Sequence, residues 1–286
     1  MLAFLGTSDR LRGIVLLAMT AVLWSTSGLG IKWIEWHPMA IAGARSAIAA
    51  IVIWAAFRQT PVQWSKASFY GGTAYAVMSL SFVVANKLTT AANVILLQYT
   101  CPIYVAILGA IFLKERPSRS DWVTIGFVGG GMLLFFQDQM SAGSFIGNLL
   151  GIVSGIAMAV MAVSMRLQKA GSPFGSILFG NILTFLCGLP FMFDGSPGAA
   201  GWAAIMALGC IQLGLSYVLY SIAIKYVTAL EASIITMIEP LLNPIWVFVL
   251  LGEGPGFWSM VGGSIILLAI AVRYMWPAIK QEAAAG

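Results

Sequence analysis

Two stretches decide how this chain reads: KLTTAANVILLQYTCPIYVAILGAIFLKERP (Lys87–Pro117) and KYVTALEASIITMIEPLLNPIWVFVLLGEGP (Lys225–Pro255). They align without gaps at a constant offset of 138, and eight of the 31 positions are identical. The shared pairs are Lys87/Lys225, Thr90/Thr228, Ala91/Ala229, Pro102/Pro240, Ile107/Ile245, Leu113/Leu251, Glu115/Glu253 and Pro117/Pro255. Each stretch is apolar, carries a proline near its middle and closes on Glu-x-Pro. Fainter echoes extend the match: Gly13/Gly147 and Lys32/Arg166 at an offset of 134, with Pro38 and Pro173 opening the second and seventh apolar segments. Duplicated helical units broken at matching places point to a secondary-transporter architecture with its site between the halves.

Composition sets the solvent. Of 286 residues, 60% are hydrophobic and only 9% charged, with a mean hydropathy of +0.93. A soluble domain carries about a quarter charged residues, so an integral membrane protein is expected, with nearly all of its length taken up by spans. The net charge of +5 does not indicate nucleic acid, because Lys and Arg sit at the ends of apolar runs rather than clustering on one exposed face. Cys101, Cys187 and Cys210 lie in apolar runs without a CxxC pair and read as small buried residues. His37 is the single histidine, which excludes a histidine-rich metal site; no metal and no cofactor are expected. The first apolar run, Gly13 to Ile31, reads as a span rather than a cleaved leader.

A span needs about 20 apolar residues. Charges and Gly/Pro breaks then mark ten: 12–34, 38–57, 67–86, 89–113, 121–137, 145–166, 173–193, 201–224, 227–251 and 256–276. Basic residues mark the cytoplasmic side. With an inside N-terminus, that side collects twelve of the fifteen Lys and Arg residues, leaving Lys32 and Lys87 opposite and Arg45 within a span. Equivalent spans of the two copies are five apart and so cross in opposite directions. The expected fold is an all-α polytopic membrane protein of ten transmembrane helices in two inverted five-helix repeats. The polar linker at 137–144 divides them into 1–140 and 141–286.

Glu239-Pro240-Leu-Leu-Asn243-Pro244, followed by Leu251-Gly-Glu253-x-Pro255, resembles the drug/metabolite transporter superfamily, and more narrowly its EamA-type bacterial exporters. Pro102 with Leu113-Lys-Glu115-Arg-Pro117, and Leu23-Trp24-Ser25, carry the same likeness, which covers essentially the whole chain. The resemblance implies a multi-pass carrier in a bacterial inner membrane. It also implies a small-molecule substrate, with aromatic or other neutral amino acids as the leading class. One departure is visible: Cys101-Pro102 stands where the second copy has Glu239-Pro240, so any polar role of Glu239 belongs to one half.

The candidate site follows from depth. Pro102, Pro240 and Pro244 each remove a backbone hydrogen bond within a helix, either as gates or as static kinks. Glu239 lies near the midplane, where a carboxylate is costly unless protonated, paired or hydrated. It reads as a contact for a substrate ammonium, as a proton site, or as a protonated group bonded to a neighbouring helix. Trp24, Tyr75, Ser79, Tyr99, Met158, Ser216, Tyr217 and Asn243 share that depth and would supply an apolar chamber with a few polar groups. Tyr75 and Ser79, one turn apart, share a helix face. Arg45 reads first as an anchor and second as a carboxylate clamp, and Glu231 as a residue near water. Trp33, Trp36, Trp64, Trp122, Trp258 and Trp276 flank span ends as interfacial anchors. Gly126, Gly129, Gly130, Gly131, Gly262 and Gly263 suit close helix packing or self-association. Without a Gly-Lys-Ser/Thr element they hold no phosphate, so ATP-driven pumping by this chain is excluded. An intramembrane enzyme finds no catalytic constellation, and a channel would repeat a subunit about a pore rather than invert a duplication. A multidrug or organic-cation exporter of the same fold is the nearer alternative. The lipid bilayer is the expected surrounding partner, nucleic acid is not a partner, and a monomer is expected.

Overall fold

The computed structural model describes residues 9–26, 34–89, 91–135, 137, 145–242 and 257–275, and the regular structure among them is helical. Helices start where polar side chains meet orphan backbone N–H groups. His37 Nδ1 accepts from Met39 N at 3.3 Å, with Pro38 at the first helical position of α2 (Pro38–Ala56). Ser65 and Ser68 form a reciprocal capping box for α3 (Lys66–Leu88).

The remaining elements follow in order. Helix α1 is Asp9–Trp24; α4 is Ala91–Gln98; α5 is Cys101–Leu108 and runs into a π turn at Gly109–Leu113. Next come α6 (Arg119–Phe135), α7 (Phe145–Leu167) and α8 (Phe174–Gly188), the last extended by a 3-10 stretch at Leu189–Phe193. Helix α9 (Gly198–Ala207) continues through π geometry at Leu208–Leu215 into α10 (Ser216–Ala223). Helix α11 is Ala229–Ile235 with a 3-10 turn at Thr236–Ile238, and α12 is Phe257–Ile270 with a π end at Ala271–Met275.

Each of the ten expected spans overlaps one of these helical stretches, and the parts of 12–34 and 227–251 at 27–33 and 243–251 lie outside the described residues. Six are long and apolar enough to cross a bilayer within the described residues: Pro38–Ala56, Lys66–Leu88, Asn93–Leu113, Phe145–Leu167, Phe174–Phe193 and Gly198–Ala223. The others are shorter there. Ile51, Trp54, Phe127 and Val272 face outward, each 60% or more exposed, an arrangement that suits lipid and not water. Inside, Thr20, Asn181, Thr184 and Thr236 donate to the carbonyl four residues earlier, at 2.8–3.0 Å, which satisfies these donors within their own helices.

Helix pairing shows the twofold relation. Helix α3 packs on α7, as α1 packs on α10; α3 packs on α8, as α2 packs on the 208–215 stretch. Likewise α4 and α5 lie against α7, as α11 and its 3-10 turn lie against α1. The pairs α2–α8 and α6–α12 exchange with themselves. Exchanging each span for the one five later therefore maps these principal contacts onto one another. The protein is an all-helical polytopic membrane protein of two inverted five-helix repeats.

Close approach depends on glycine at a few crossings. A Cβ on Gly188 would strike the Met39 carbonyl and the Gly43 Cα at 2.8 Å, both backbone. Gly131 and Gly262 approach each other in the same way where α6 meets α12. By contrast, Gly126, Gly129 and Gly130 would meet nothing within 4 Å. Among the described residues, the glycine-rich stretch of α6 thus meets a neighbouring helix through Gly131, while Gly126, Gly129 and Gly130 stand clear of other atoms. Gly188→Ala is expected to cost about 1–3 kcal/mol, the usual penalty of overpacking. Gly129→Ala should leave the thermal unfolding midpoint of the detergent-purified protein unmoved; equal midpoints for the two variants would refute the tight α2–α8 crossing.

Candidate functional site

Both proline-bearing helices break at equivalent places. Pro102 has no N–H to offer the Gln98 carbonyl, and the chain leaves helical geometry at Tyr99-Thr100. There Thr100 turns both its N–H (3.2 Å) and its hydroxyl (2.6 Å) to the Leu97 carbonyl. Pro240 deprives the Thr236 carbonyl in the same way, and α11 tightens into its 3-10 turn, with Glu239 N bonding back to Thr236 O. Helical geometry resumes over 239–242. The Tyr99 hydroxyl donates to Glu239 Oε2 and lies 3.3 Å from Thr236 O. A phenol at the break of one half therefore meets both the acid and the weakened carbonyl at the break of the other.

Beside this contact is a chamber of about 60 Å³, room for a handful of waters. Its walls are Trp24 of α1, Arg45 of α2, Tyr75, Met78, Ser79 and Phe82 of α3, and Gln98 of α4. Across from them stand Met158 of α7, Gln212 and Leu213 of the 208–215 stretch, Tyr217 of α10, and Glu239. Trp24 and Met158 are equivalent under the 134 offset, so the two halves present corresponding positions to one space. The aromatic wall is continuous: Trp24 to Tyr217 and Tyr75 to Tyr217 both measure 5.1 Å between ring centroids. Tyr75 is held by donating to Asn181 Oδ1 at 3.0 Å.

Of the nine residues expected to contact substrate, Trp24, Tyr75, Ser79, Met158, Tyr217 and Glu239 line this chamber. Tyr99 reaches it through Glu239. Ser216 does not: it is wholly buried and its hydroxyl is bonded to its own helix, at the carbonyls of Gln212 and Leu213. Asn243 and Pro244 lie outside the described residues, as do Lys32, Thr90, Trp33, Trp276, Glu253 and Pro255. Cys101, the counterpart of Glu239, is buried and not part of the wall.

Arg45 corrects the anchor reading. It is 3% exposed, its Nε has no hydrogen-bond partner, and among the described residues no acid pairs with it. Its charge is turned to the chamber beside Tyr75 and Tyr217. Gln98 and Gln212 were also absent from the expected set. Primary amides deep in apolar helices are themselves a polar signal, and Gln98 precedes the break by one residue. A second, mostly apolar cavity of about 270 Å³ lies behind Tyr99 and Pro102, against Val128, Met132, Ile234 and Met237. It leaves free volume beside both breaks.

One end of the bundle is fastened by ions. Lys114, in left-handed conformation (φ +57°), ends the π turn after α5 and sets the course of Glu115. Glu115 Oε1 takes Arg166 Nε at 2.8 Å, while Oε2 accepts from Ala229 N at 3.2 Å at the start of α11. Arg166 Nη1 also bonds the carbonyls of Ile224 and Lys225, each at 2.9 Å. Nearby, Glu231 pairs with Arg10 at 2.5 Å and closes the Thr228 capping box. The reading of Glu231 as a residue that simply reaches water gives way to this pairing. Arg273 and Asp121 pair at 2.9 Å at the same end, which gathers both the start of α1 and the close of the chain's last described turn.

Inverted halves, helices interrupted at matching positions and a polar chamber at their junction define a carrier of small molecules across a membrane. The chain belongs to the EamA-like transporter family, whose sequence pattern matches it twice, over residues 11–137 and 145–275. Members of that family are transporters rather than enzymes, and this protein is a multi-pass membrane transporter. Among curated relatives it is 28% identical over 198 residues to an uncharacterized transporter of Archaeoglobus fulgidus, spanning 68% of this chain and 71% of that one. It is 24% identical to the pseudopaline exporter CntI of Pseudomonas aeruginosa, over 79% of this chain and 82% of the relative. To the threonine/homoserine exporter RhtA of Escherichia coli it is 22% identical, over 74% of each. A solved crystal structure shares the fold with a TM-score of 0.80 at 19% identity, covering 96% of this chain and 99% of the other.

Proposed function

We propose that the protein exports small zwitterionic metabolites, aromatic or other neutral amino acids in the first place, by alternating access between the halves 1–140 and 141–286. The observation that carries this reading is the chamber at the junction of the two broken helices, with an acid, a cation and an aromatic wall around one space. An amino acid needs this combination: apolar area for its side chain and a few fixed polar groups for its charged ends. The threonine/homoserine exporter among the relatives supports an amino-acid class. Pro102 and Pro240 act as the hinges, with the apolar cavity behind them as the space into which the helices bend. Both halves contribute to the chamber, so a single chain is the working unit. The basic end faces the cytoplasm of a bacterial inner membrane, with both termini there, in keeping with the bias of Lys and Arg toward that side.

Glu239 and the aromatic wall also suit an organic cation; Arg45 in the same wall opposes one. Purified protein in liposomes, preloaded with an unlabelled amino-acid panel and given the same amino acids radiolabelled, decides the matter. Saturable counterflow of bulky neutral amino acids is the expected result. Linear, non-saturating flux would indicate a channel, and exchange of quaternary ammonium compounds alone would overturn the substrate class.

A further inference from the structure

The structure assigns Arg45 as the carboxylate clamp of the chamber, which makes a negatively charged carboxyl group a requirement for substrates. This inference rests on the reading of the chamber as the transport site and names what selects its cargo. One observation and two general properties of a buried guanidinium point the same way. Arg45 is almost fully buried, yet its Nε has no hydrogen-bond partner among the described residues. A guanidinium stays charged at any ordinary pH and offers a planar fork of donors matched to a carboxylate. An uncompensated charge of this kind is costly in a membrane interior, and a bound anion would offset that cost.

Other groups in the same walls are unmatched as well. Trp24 Nε1, Ser79 Oγ and Gln212 Oε1 are buried without hydrogen-bond partners among the described residues, and all three residues line the chamber with Arg45. Buried polar atoms are nearly always paired in folded proteins. Four orphans around one space therefore mark it as built for a polar guest. Two donors, Arg45 and Trp24, suit the oxygens of a carboxylate, and Ser79 can donate a third bond. Gln212 Oε1 accepts only and, with Glu239, suits an ammonium. Together these side chains offer donors for a carboxylate and acceptors for an ammonium, the pair of groups that a free α-amino acid presents.

The test compares acids with their carboxamides, which keep the ammonium and lose the negative charge. In liposomes, L-phenylalanine and L-threonine would compete for exchange against L-phenylalaninamide and L-threoninamide. The wild-type protein is expected to prefer each acid by at least about tenfold, the scale of a lost charge-assisted pair. Arg45→Gln should reduce that preference to near unity, and Arg45→Lys should restore part of it. Acid and amide competing equally in the wild type would overturn the clamp while leaving amino-acid transport intact. So would a preference that survives Arg45→Gln. Absence of exchange for every amino acid would overturn the transport reading itself. Should Arg45→Gln fail to elute as a folded species in detergent, the acid–amide comparison on the wild type still decides.

Discussion

Glu239→Gln is expected to flatten the pH dependence of transport and to weaken substrate binding about ten- to a hundredfold, the equivalent of the ~1.5–3 kcal/mol carried by a hydrogen bond to a charged group. The charged carboxylate attracts an ammonium, and its protonated form does not. Wild-type KM should therefore fall as pH rises through the titration of this group and climb again on acidification. Glutamine keeps the shape and remains neutral, so its KM should stay high and level. Among the described residues, Tyr99 donates to Glu239, and Tyr217 and Arg45 line the same chamber; free phenols and guanidinium groups ordinarily titrate well above neutrality. Counterflow measured across a pH series reads the effect. An unchanged pH profile in Glu239→Gln would eliminate the proton and ammonium roles together.

Arg166→Gln should open the fastened end. Arg166 holds Glu115 and two carbonyls at once, and its loss takes the cation from Glu115 Oε1 and a donor from each of the two carbonyls, while Oε2 keeps the Ala229 N–H. Breaking a fully buried pair costs about 3–5 kcal/mol. Glu115 keeps 23% of its side-chain surface exposed, so a value of about 2 kcal/mol is expected here. Borne by the closed form alone, that shifts the closed–open balance roughly thirtyfold. Cys101 is buried beside the break of the fourth span and reports the shift: with Cys187 and Cys210 replaced by Ser, its maleimide labelling should accelerate in Arg166→Gln. Unaltered labelling and an unaltered melting midpoint would show the ion cluster to be ornamental.

How much of this was legible beforehand depended on periodicity and spacing. The ten spans were readable because lipid demands long apolar runs, and the helix breaks because proline acts locally whatever surrounds it. Depth and residue type together pick out Trp24, Tyr75, Ser79, Met158, Tyr217 and Glu239, which line the chamber. Depth does not give rotation about the helix axis, which is why Ser216 was included although its hydroxyl turns back to its own backbone. Arg45 was read as an anchor because long cations commonly reach toward water; only packing reveals that α8 and the 208–215 stretch flank its helix. The pairing of Glu115 with Arg166 and the α11 backbone joins residues far apart in sequence. Nothing local in Glu-x-Pro announces it.

That last link bears on how the polypeptide is made. Glu115 emerges from the ribosome long before Arg166 and Ala229, the groups it finally serves. The first five spans must enter the lipid with this carboxylate unspent, and the ninth span receives a hydrogen bond at its start from a residue synthesised more than a hundred positions earlier. Maturation is therefore not piecemeal: the late half of the molecule is finished by the early half.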